Sequence, residues 1–97
     1  MINIEVIEKI SKKYSNSPDD FIRRGSTLAI KERKANLQME RLDIIARYEV
    51  ATVDELEDKI KDGKVPEHPA WEDLIEIKNI EAEIKEIEND LETLQQP

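Results

Sequence analysis

The stretch from Pro18 to about Tyr48 constrains the fold most, because it predicts one long helix with apolar residues on two opposite sides. At about 100° per residue, the first side carries Phe21, Leu28, Ala35, Met39, Leu42 and Ala46, and the second carries Ile30, Leu37, Ile44 and Tyr48. A surface helix of a globular protein usually has one apolar stripe. Two stripes predict a helix packed between neighbours, and in a chain of 97 residues one neighbour is expected to be a second subunit.

Local signals divide the rest of the chain into further helices. Ser17 is a typical N-cap residue, Pro18 suits a first helical position, and Thr52 followed by Glu55 is a capping-box pattern. The first segment is ambiguous, since residues 2–6 alternate like a strand while residues 6–14 follow helical spacing. We favour a helix there. The predicted fold is all-α, with four helices at about 2–14, 18–48, 52–62 and 69–94.

The prolines mark an interruption before the last helix. Pro66 and Pro69 each bias the preceding residue away from helical backbone angles, so residues 64–69 predict an extended connector. With four aromatic residues and two glycines, the chain lacks the composition of a β-sandwich. We expect a single helical domain over residues 1–97.

The last helix carries a heptad pattern, in which apolar residues recur at alternating steps of three and four. The flanking positions are acidic and include Glu76, Glu81, Glu83 and Glu88. Two such helices in parallel would place carboxylate against carboxylate, so this acidic heptad seam predicts a basic partner helix. The apolar positions of the seam are Ile77, Ile80, Ile84, Ile87, Leu91 and Leu94.

The second side of the long helix supplies a matching basic partner face. Lys34 and Arg41 interleave with its apolar residues Ile30, Leu37 and Ile44. We therefore predict that the last helix folds back onto this face, which leaves the first side for the N-terminal helix and for self-association, most simply as a dimer. The alternatives are that a symmetry-related subunit or a foreign basic protein fills the seam.

Composition excludes several functions. The chain has no cysteine, so neither a disulfide nor a cysteine-based zinc site is possible. No apolar run exceeds three residues, which predicts a cytoplasmic protein without a membrane span. The single His68 beside two prolines is a weak metal ligand candidate. No phosphate-binding or nucleophile motif is present, so we expect no enzyme, no cofactor and no metal.

The charge is unevenly distributed along the sequence. Residues 1–49 contain ten Lys/Arg and eight Asp/Glu, a balance of +2, whereas residues 50–97 contain five and fifteen, a balance of −10, in agreement with the total of −8. A net acidic chain lacks the clustered cations that phosphate contacts require. The acidic half is instead expected to attract a basic surface.

Residues 7–28, with Lys13-Tyr14 followed by Ser17-Pro18-Asp19-Asp20-Phe21-Ile22-Arg23-Arg24-Gly25, resemble the two-helix half of ribbon-helix-helix proteins, which are dimeric DNA binders common among antitoxins. The resemblance covers under a third of the chain. In that family a strand before the first helix reads DNA with outward polar residues. Here the corresponding positions are Asn3 and Glu5, without a basic residue, so nucleic-acid binding by this chain alone is not expected.

The remainder of the chain is similar to small helical proteins of prokaryotes associated with toxin–antitoxin operons. The residues that carry this similarity are Tyr48, Thr52 to Gly63 and Glu67-His68-Pro69-Ala70-Trp71-Glu72-Asp73. It implies a non-enzymatic, antitoxin-like interaction module whose acidic C-terminal half binds a basic partner such as a toxin. The alternative function is a self-assembling coiled-coil structural or adaptor protein.

Overall fold

The computed structural model describes residues 1–96 and consists of helices, with no β-strand among them. Its elements are α1 (Ile4–Tyr14), α2 (Pro18–Tyr48), α3 (Val53–Lys61) and α4 (Glu67–Gln95). The all-α prediction with a long central helix is confirmed. The molecule is elongated, measuring 60 × 26 × 19 Å. Pro97, the last residue of the predicted domain, lies outside the described residues.

The helix starts follow the capping chemistry of the sequence. The Asn3 side chain accepts a hydrogen bond from the Glu5 amide, so α1 begins at Ile4 and residues 4–6 are helical rather than extended. The Ser17 hydroxyl accepts from the Asp20 amide ahead of α2, and Thr52 accepts from the Glu55 amide ahead of α3. These side chains satisfy amides that have no partner within their helices.

Two left-handed residues shape the turns on either side of α3. Glu49 ends α2 with a φ of 54°, and its amide donates to Ala46 and Ile45 carbonyls. Gly63 follows α3 with a φ of 71°, a conformation that costs a glycine little. The chain therefore reverses direction twice within a short segment, and α4 runs back along α2.

The predicted connector at residues 64–69 is shorter in the structure. Helix α4 already begins at Glu67, directly after Pro66, whose φ of −60° suits a helix start. His68 and Pro69 nevertheless have non-helical backbone angles, with His68 at φ −108° and ψ 128°. The extended angles at His68 are those that a following proline imposes, so the regular part of α4 starts just after Pro69.

The core lies where α2, α3 and α4 meet. Helix α3 covers the closed end of the α2–α4 pair with Val53, Leu56 and Ile60, and the two long helices continue the core along their shared side. Leu56, Ala70 and Ile77 have no exposed surface. The buried apolar residues are Leu37, Ile44, Ile45, Val50, Val53, Leu56, Ile60, Ala70, Leu74, Ile77, Ile80 and Ile87.

Helix α1 lies outside this core and contacts only the beginning of α2. Ser11 is its one buried residue, and Ile4, Val6 and Ile10 are exposed. The Ser15 hydroxyl donates to the Asp20 carboxylate. The attachment of α1 therefore depends on few buried contacts, and α1 is the element we expect to open at the lowest free energy.

None of the helices in residues 1–96 combines the length and the apolar character that crossing a membrane requires.

Replacing Leu56 by alanine should lower the free energy of unfolding by about 2–5 kcal/mol, because the change leaves a cavity beneath α3. Ile75→Ala is the matched control, since Ile75 is 59% exposed and should change stability little. Urea denaturation followed by circular dichroism measures both. Equal effects of the two substitutions would contradict the core described here.

Candidate interaction surfaces

The basic partner face and the acidic heptad seam face each other within the chain. Leu37 and Ile44 of α2 are buried in the same apolar cluster as Ile77, Ile80 and Ile87 of α4. Ile30, Ile84 and Leu91 are half-buried along its margin. The last helix thus folds back onto α2, and the apolar positions of the seam are covered without a second chain.

Two ion pairs connect the edges of these helices. Arg33 forms a bidentate pair with Glu83, with Nε–Oε2 and Nη2–Oε1 distances of 2.8 and 3.2 Å, and Arg41 Nε lies 2.7 Å from Glu81 Oε2. The hydrogen bonds and negative charge of Glu83 raise the pKa of the Arg33 guanidinium. Both pairs are partly exposed, so they orient the helices more than they stabilise them.

The remaining predicted residues of the two surfaces lie at the periphery. Lys34 and Leu94 are half-buried, while Glu76 and Glu88 are exposed. Arg33, next to Lys34 in the chain, makes the bidentate contact with Glu83. Guanidinium geometry matches a carboxylate in two places, which an ammonium cannot do.

Sequence reasoning missed a polar cluster at the junction of α2 and α4. The carboxylate of Asp73 is buried and accepts hydrogen bonds from the Tyr48 hydroxyl and from Arg47 Nη1, the latter at 3.0 Å. Lys59 of α3 donates to the Tyr48 carbonyl at 2.9 Å. Three helices therefore meet through hydrogen bonds at this point, and the only available signal was an acid in the first regular turn of α4.

Burial of the Tyr48 ring and its hydrogen bond to Asp73 raise the pKa of Tyr48 from 10.0 to about 12. Arg47 partly offsets this effect. Because the folded pKa is higher than the unfolded one, the neutral phenol is the form that the fold favours. The arrangement is a structural cross-link, since the phenol and the carboxylate both face packed helices.

The first side of α2, in contrast, is largely uncovered. Phe21 is half-buried beside α1, but Leu28, Met39 and Leu42 are 68, 65 and 58% exposed. Ala35 and Ala46 are exposed as well. This self-association face is defined as Phe21, Leu28, Ala35, Met39, Leu42 and Ala46. It lies on the side of α2 away from the buried Leu37 and Ile44, and the exposed Glu32 lies among its apolar residues.

The metal-ligand candidate His68 lies at the surface. Its Nδ1 is 2.7 Å from Glu72 Oε1, and both side chains are more than half exposed. The pKa of Glu72 is lowered. The main cause is a hydrogen bond from the Glu72 backbone amide, and the second is the hydrogen bond with His68. Within residues 1–96 no three His, Asp or Glu side chains are grouped to hold a metal ion.

Comparison with known protein families identifies the family of this chain. A model of the Uncharacterized protein MJ0235 family matches residues 1–96. The chain belongs to this family. The match includes all four helices, so the family unit contains the exposed face of α2 as well as the core. No curated protein and no solved structure matches the chain.

Reversing the charge of Arg41 should test the α2–α4 edge. Arg41→Glu is expected to lower the free energy of unfolding by about 1 kcal/mol, because it replaces the pair with Glu81 by a repulsive contact. The double variant Arg41→Glu/Glu81→Arg should recover most of the loss. Lys85→Glu on the exposed side of α4 controls for charge reversal in general, and an unrecovered double variant would contradict the contact.

The Tyr48–Asp73 contact should make stability depend on alkaline pH. The stabilisation is fully present below pH 10 and is lost as the pH rises to about 12, since the phenol then ionises in the folded state. Urea denaturation across this range should show a steeper loss for the wild type than for Tyr48→Phe, which cannot ionise. Parallel curves for the two proteins would exclude the contact.

Proposed function

We propose that this protein is a non-enzymatic protein–protein interaction module that self-assembles through the self-association face of α2. The observation that supports this most is the exposure of Leu28, Met39 and Leu42 on one side of α2. Contiguous exposed apolar surfaces on small soluble proteins usually mark interaction sites. Each Å² of apolar surface removed from water contributes roughly 25 cal/mol, so covering these side chains favours association.

A second copy of the chain is the simplest occupant of this face. A twofold-symmetric interface uses the same surface on both subunits, so a single apolar stripe is sufficient. The core supports this assignment, because the acidic seam is already packed against α2 and does not require a partner. The function that follows is that of a structural or adaptor module. In the assembly, the α4 helices on the other side of α2 remain exposed to further partners.

An antitoxin-like role is the second candidate, and the exposed carboxylates of α4 favour it. Glu76, Glu88 and Asp90 are exposed beside the seam, and the C-terminal half carries the chain's net negative charge. Such a surface attracts a basic partner protein and can mask it. Because the apolar seam is covered within the chain, the partner would contact these exposed carboxylates.

Substitution of Leu42 by glutamate should convert the assembly to monomers, because it places a charge in the apolar stripe. Ile75→Glu is a close control, since Ile75 on α4 is 59% exposed and Leu42 is 58% exposed. Light scattering coupled to size exclusion measures the mass, and circular dichroism verifies helicity. We expect wild-type and Ile75→Glu dimers and a Leu42→Glu monomer.

A wild-type protein that remains monomeric at high concentration would overturn self-assembly. Repeating the mass measurement after co-expression with the product of the neighbouring gene tests the second candidate. If the monomeric chain forms a complex with that gene product, and the complex is lost when Glu76, Glu88 and Asp90 are replaced by glutamine, the result would favour the antitoxin-like role.

A further inference from the structure

We draw no further inference here: the strongest candidate, the shallow groove along one flank of the α2–α4 pair that is lined by Ala29, Ile30 and Ile87 and edged by Glu83, Glu86 and Asp90, carries nothing because no feature of the structure shows what covers it.

Discussion

The antiparallel packing of α4 on α2 is the interaction on which the rest of the structure depends. It buries the isoleucines of the seam against Leu37 and Ile44, and its edges carry guanidinium groups on one helix and carboxylates on the other. The apolar contact supplies the stability, while the charges select orientation, because exposed ion pairs contribute only about 0.2–1 kcal/mol each. Helix α3 closes the end of this pair, and Asp73 connects that end to the last turn of α2 through Tyr48 and Arg47.

Stability is consequently uneven along the molecule. The end formed by α3 and the junction of α2 with α4 contains most of the buried side chains, whereas the beginning of α2 is covered only by α1. Helix α1 exposes Ile4, Val6 and Ile10, and an eleven-residue helix is marginal by itself in water. A partner that covered the stripe of α2 next to Phe21 would also lie close to α1, so association and the ordering of α1 are expected to be linked.

Much of this fold was predictable because its determinants are local. Caps such as Ser17 and Thr52 define helix starts within one turn, and the periodicity of apolar and charged residues identified both sides of α2 and the seam of α4. The long-range details were not predictable. Asp73 reads as an ordinary acid in a first helical turn, and only the placement of α4 beside Tyr48, a residue 25 positions away, makes it a buried acceptor. The helical turn at Glu67 likewise precedes His68 and Pro69, where the sequence indicates only an extended segment.

The two sides of α2 have different physical requirements, and this difference removes an electrostatic objection to the proposed self-association of an acidic chain. The face toward α4 needs cations to match carboxylates, while the opposite face carries mainly apolar residues together with Glu32. Packed helices lie about 8–10 Å apart, so in a dimer joined through α2 three such spacings separate one α4 from the other, roughly 25–30 Å. The Debye length at physiological ionic strength is about 8 Å. Repulsion between the two acidic helices is therefore screened, and the net charge of −8 on each chain does not oppose a contact made through the stripe of α2.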